Sequence, residues 1–136
     1  MKYFTIEELC KSETAERLGI DNTPSEEIVK NLTYFGEKIL DPLRESWGSA
    51  IIVNSGFRCP ELNKAVGGSK TSVHPLGWAV DLYPKNGNIE DFKKHIIAFF
   101  EGKRWDQVIL ESEGKKYEYT LVYTTVLENK ENKYLN

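Results

Sequence analysis

Asp81 stands in the middle of an apolar run, Trp78-Ala-Val-Asp-Leu-Tyr83. This feature constrains the chain most tightly. A run of that length and residue type predicts a short strand with apolar residues on both faces. An isolated charge buried in such a strand is very costly, so the carboxylate needs a partner. His74 lies seven residues earlier and is one of two histidines in the chain. Pro75 and Gly77 break the chain between them, which puts the imidazole on an irregular segment. Histidine and aspartate are both good zinc ligands, and a metal ion would meet the carboxylate's need. Spacing alone favours a plainer arrangement, with Asp81 paired to a basic residue and His74 on a loop.

The rest of the sequence sets the frame for that pair. At 136 residues the chain reads as one domain, 1–136, large enough for a real core. A net charge of −3 makes no electrostatic case for nucleic acid or an anionic membrane. No apolar run is long enough to span a bilayer. The start, Met-Lys-Tyr-Phe-Thr-Ile-Glu-Glu, lacks the apolar core of a secretory signal, so the expected location is cytoplasmic, with release by lysis as another route. Cys10 and Cys59 are too few for a disulfide framework. Cys10 reads as a small packed hydrophobe. Cys59 as a nucleophile with His74 as its base lacks an evident third group to orient it.

Thr5-Ile-Glu-Glu8 and Ser12 predict caps of two short helices, the second stopping at Gly19. Thr23-Pro-Ser-Glu26 predicts the start of a longer helix, with Thr23 as cap. Its core face is Ile28, Leu32, Phe35, Ile39 and Leu43, and Pro42 is expected to bend or end it. Residues 50–54 predict a strand, 60–66 a short helix, and 69–74 a polar loop. Asn88 is expected to cap a helix burying Ile89, Phe92, Ile96, Phe99 and Phe100. His95 on that helix reads as structural. Two further strands, 107–111 and 117–126, are expected to pair as a hairpin, and the tail from Glu128 to fray. Helices first and strands later predict an α+β fold with a small, mainly antiparallel sheet.

Upstream of His74 lies Asn54-Ser-Gly-Phe-Arg-Cys-Pro-Glu-Leu-Asn63. Together the two stretches resemble the zinc D-Ala-D-Ala carboxypeptidase family, peptidase family M15, subfamily A. Its pattern is Ser-Gly-Tyr-Arg followed by Ser-x-His-x-x-Gly-x-Ala-x-Asp. Ser72, His74, Gly77, Ala79 and Asp81 fill every fixed position of the second motif, and Phe57 replaces Tyr in the first. The resemblance runs from Phe4 onward and weakens after Glu111. It implies a Hedgehog/DD-peptidase-like fold, zinc held by His74 and Asp81, substrate held by Arg58 and Ser72, and a peptidoglycan stem peptide as the partner of a monomer.

The family closes its site with a Glu- or Asp-x-x-His motif. Here Glu118-Tyr-Thr-Leu121 stands in its place, and no histidine follows His95. By that alignment Glu118 is the general base and Leu121 occupies the third zinc position. Glu111 is the alternative base or third ligand. Leucine has no electron pair for zinc, so metal is expected to bind weakly or not at all. Two readings follow. One is a zinc metallopeptidase of the D-Ala-D-Ala type acting on peptidoglycan peptides. The other is a non-catalytic peptidoglycan-binding or phage or prophage structural protein that retains the fold.

Overall fold

A computed structural model describes residues 1–101, 108–109, 119–122 and 134–135. Two short helices come first, α1 (Ile6–Cys10) and α2 (Glu13–Leu18). The Thr5 and Ser12 hydroxyls accept from the free amides of Glu8 and Ala15, which is what a cap residue supplies to a helix start. The next helix, α3 (Glu26–Phe35), begins later than expected. Its cap is Ser25, whose hydroxyl accepts from Ile28 N. The Thr23 hydroxyl is bound to Asp21 instead, 2.6 Å away.

Pro42 does not end this rod. A π-helical turn, Gly36–Leu40, joins α3 to α4 (Asp41–Trp47), and Asp41 N donates to the Gly36 carbonyl five residues back. The wider turn lets the helix reach a proline, which cannot donate and would clash in a regular turn. Leu32, Phe35, Leu40 and Leu43 are buried along the rod. Asp41 accepts from Lys2 N and Tyr3 N, which ties the amino terminus to the rod.

Strand β1 (Ile51–Ser55) pairs antiparallel with β2 (Ala79–Pro84), and β2 pairs antiparallel with β4 (Tyr119–Val122). The order is β1-β2-β4. Between β1 and β2 lie α5 (Pro60–Ala65) and a single 3₁₀ turn, His74–Leu76. Helix α6 (Ile89–Phe100) follows β2 and buries Phe92, Ile96 and Phe100. The core joins Leu9, the α3–α4 rod, Val80 and Leu82 of β2, Leu121 of β4, and α6. This is the expected α+β fold with an antiparallel sheet.

Three expectations are corrected. Asn88 precedes α6 but makes no side-chain cap. The predicted hairpin does not form among the described residues. β3 (Val108–Ile109) pairs in parallel with β5 (Tyr134–Leu135), while β4 joins β2. The reason lies in burial, because pairing with β2 seats Leu121 in the core, 1% exposed. Residues 134–135, in the tail expected to fray, are strand. Among the described residues no helix is long and apolar enough to cross a membrane.

His95 packs between Trp47 and Phe99, with Nε2 2.7 Å from the Ser46 hydroxyl. Burial pushes its pKa below the usual 6.5. The fold therefore favours the neutral ring, and the unfolded chain takes up the proton first. That contribution is present above the unfolded pKa and is lost as pH falls below it. A His95→Gln variant should show a shallower stability loss between about pH 7 and pH 5 in chemical denaturation. An unchanged slope would remove His95 as a source.

Candidate functional site

The site is assembled where the end of α1 meets the loop after β1. Gly56 lies so close to the Leu9 carbonyl that a Cβ there would sit 2.2 Å from its oxygen. Phe57 N donates to that same carbonyl at 2.7 Å. With its backbone pinned there, the Gly56 carbonyl meets His74 Nδ1 at 2.7 Å. A carbonyl can only accept, so Nδ1 carries the proton and donates. In the neutral ring Nε2 is then a bare lone pair.

Nε2 is aimed at Asp81. It lies 3.5 Å from Oδ1, is fully buried, and has no hydrogen-bond partner among the described residues. Both side chains are buried, His74 and Asp81 each 3% exposed. The separation is beyond the 2.7–3.2 Å of a good N–H···O bond, so this is not an ordinary hydrogen-bonded pair. Two donors on one tetrahedral zinc, each about 2.0–2.1 Å from it, sit about 3.4 Å apart. The pair thus has the spacing of two ligands to a single ion. A lone pair and a carboxylate facing each other repel, and either a proton on Nε2 or a shared metal cation relieves that repulsion.

Asp81 has a second neighbour. Thr120 Oγ1 donates to Oδ1 at 2.6 Å. The register pairs Asp81 with Thr120 and Val80 with Leu121. Successive side chains of a strand point to opposite faces, so Thr120 shares the face of Asp81 while Leu121 enters the core. The reading that put Leu121 at the third ligand position is therefore corrected. The residue of β4 beside the His74–Asp81 pair is Thr120, and Leu121 is a core residue. Burial pushes the Asp81 carboxyl up. With the ring as the imidazolium, His74, the Thr120 hydroxyl and the positive charge of Arg58 together outweigh burial and hold it below the usual carboxylate range.

Arg58 completes the group. It is 9% exposed, and its Nε has no hydrogen-bond partner among the described residues. Its backbone N donates to the His74 carbonyl at 3.4 Å. Asn22 holds the chain on both sides of it. The Asn22 amide nitrogen donates to the Phe57 and Cys10 carbonyls, and its oxygen accepts from Cys59 N. Sequence reasoning missed Asn22, which reads as one more polar residue of a Pro-containing loop. Arg58 and Asp81 line a cleft of about 700 Å³, walled by the α1–α2 connection on one side and β1 on the other. Glu8, another residue of that wall, has its carboxyl pushed up by burial.

Ser72 lies on the loop before His74, and its hydroxyl accepts from His74 N at 3.2 Å, the loop-stabilising role. It does not line the cleft. The cleft reaches Asp81, while His74 Nε2 is sealed from solvent. Cys59 is no nucleophile for His74. Its sulfur caps α5 at Leu62 N, and the imidazole is directed elsewhere. Glu111 and Glu118 lie outside the described residues. Among the described residues no cluster of three His, Cys, Asp or Glu could hold a metal. His74 and Asp81 therefore fit a zinc ion as two donors of a set, and the Thr120 hydroxyl is a poor third.

A buried His–Asp donor pair thus lies beside a largely buried guanidinium, whose Nε is unpartnered among the described residues, at the foot of a cleft. A family model described as Peptidase M15 matches residues 2–102, and the chain belongs to that family. The matched span contains Arg58, Ser72, His74 and Asp81. No match was found among curated proteins.

The strand register makes an opposed pair of predictions. Thr120→His should place an imidazole beside Asp81 and raise zinc affinity by on the order of tenfold or more. Leu121→His should instead bury an unpartnered imidazole in the core and cost about 3 kcal/mol or more of stability, with no gain in zinc binding. Calorimetric zinc titration and chemical denaturation of both variants test this, and a gain from the substitution at 121 would refute the register.

Proposed function

We propose that this protein is a zinc-dependent peptidase of the D-Ala-D-Ala type, acting on peptidoglycan stem peptides, with His74 and Asp81 as two metal ligands. The observation that carries this reading is the bare, buried Nε2 facing the Asp81 carboxylate at 3.5 Å. Zinc, when bound, polarises a carbonyl and lowers the pKa of a water. The chain's own groups do the rest. The Gly56 carbonyl keeps the His74 proton on Nδ1 and so keeps Nε2 available. The Thr120 hydroxyl fixes one oxygen of Asp81. Arg58 offers paired hydrogen bonds to a peptide's terminal carboxylate or carbonyl. Ser72 holds the loop that presents His74. The base role stays, by the same resemblance, with Glu118 or Glu111.

Thr120 favours a second reading. A hydroxyl already bound to Asp81 competes with a metal for that oxygen and supplies no strong ligand itself. On this reading the protein holds stem peptides through Arg58 without cutting them, as a peptidoglycan-binding or phage structural protein.

Zinc titration and D-alanine release from a D-Ala-D-Ala peptide test both. About one zinc per chain is expected, lost in His74→Ala. Arg58→Ala should weaken peptide binding by roughly tenfold to a hundredfold, the scale of a lost hydrogen bond to a charged group. Release of D-alanine supports the peptidase, and binding without release supports the second reading. A protein that takes up neither zinc nor peptide would sink both.

A further inference from the structure

The cleft beside Asp81 has an unusual wall. Four consecutive residues of β1, Ile52, Val53, Asn54 and Ser55, line it. Side chains of a strand alternate between faces, so four in a row can border one cavity only where it runs along the strand's edge. β1 is the terminal strand in the order β1-β2-β4, and no strand pairs with its outer edge among the described residues.

The ladder shows which backbone groups face that edge. Lys85 N donates to the Ala50 carbonyl, and the register runs Ile51↔Pro84, Ile52↔Tyr83, Val53↔Leu82. Hydrogen-bonded and non-bonded pairs alternate in an antiparallel ladder. Residues 50 and 52 therefore bond to β2, while Ile51 and Val53 turn their N–H and C=O outward. Pro84, which has no N–H to give, sits at a non-bonded position, as this phase requires. Beyond Val53 the register slips by one, leaving Asn54 unpaired and bringing Ser55 opposite Asp81. The bulge joins the open edge to the floor of the site, where Arg58 is nine-tenths buried and its Nε has no partner among the described residues.

We propose that the outer edge of β1 is a peptide-pairing subsite: an extended peptide with a free terminal carboxylate adds as a further strand through Val53, its carboxylate on Arg58. This deepens the peptidase reading and rests on it. From Ile52 to Ser55 the edge offers roughly 10 Å, enough for three to four extended residues. With its carboxyl end at Arg58, past the end of β1, the peptide runs parallel to β1. Main-chain pairing supplies affinity in such sites and tolerates varied side chains, while the charge at Arg58 sets the end that is recognised.

N-methylation of the ligand tests this without altering the protein. An N-acetylated tetrapeptide ending in D-Ala-D-Ala is titrated in parallel with versions methylated at one amide at a time. One methylated version should bind about tenfold more weakly, the scale of a lost main-chain bond with its steric clash. The dipeptide D-Ala-D-Ala should also bind more weakly than the tetrapeptide. Val53→Pro removes an outward N–H, which edge strands tolerate, and should weaken the parent tetrapeptide by a similar factor. Should Val53→Pro not fold, the methylation series on the unaltered protein still decides. Binding that depends on Arg58 but ignores methylation and length overturns the edge subsite and leaves the peptidase reading standing. No binding of the unmodified tetrapeptide overturns both.

Discussion

The hydrogen bond from His74 Nδ1 to the Gly56 carbonyl decides what the site can do. It holds a proton on Nδ1 and leaves Nε2, bare in the neutral ring, as the nitrogen that faces the carboxylate. A structural histidine normally uses both nitrogens, as His95 does in part by bonding Ser46. Here Nε2 faces a carboxylate at a distance too long for a good hydrogen bond and right for a shared ion. Everything upstream of that bond serves to place one carbonyl. α1 ends against Gly56, Phe57 N closes on Leu9, and the Asn22 amide clamps the next turn of chain. Only glycine allows the close approach at position 56.

The sheet contributes through its alternation. β2 carries Val80 and Leu82 into the core and Asp81 to the other face, so one strand serves packing and chemistry at once. β4 repeats the division, with Leu121 inward and Thr120 on Asp81. A one-residue slip between these strands would exchange them and bury a hydroxyl where the core needs a leucine. The cost of that exchange is what fixes Thr120 beside Asp81.

Much of this was legible in the residues. The apolar setting of Asp81, the break at Pro75 and Gly77, and the motif around Arg58 named residues that the structure places close together. The face Ile28, Leu32, Phe35, Ile39, Leu43 marked the central rod. What escaped the sequence depended on long-range choices. The position of Leu121 followed from aligning a motif along the chain, whereas strand pairing, which no local signal encodes, puts Thr120 at the site. Among the described residues the expected hairpin is not seen for the same reason, since β-branched runs predict strands without naming their partners. Asn22 went unnoticed because its three partners are brought to it only by the fold. Pro42 is expected from the sequence to bend or end the helix because the π turn that accommodates it has no simple sequence mark.

Nitrogen-15 spectroscopy of the two imidazoles tests the central claim most directly. In metal-free protein near neutral pH, His74 should show a protonated Nδ1 and an unprotonated Nε2. Added zinc should shift Nε2 of His74 and leave His95 unchanged. A proton resident on Nε2 of His74, or zinc perturbing His95 in its place, would contradict the account.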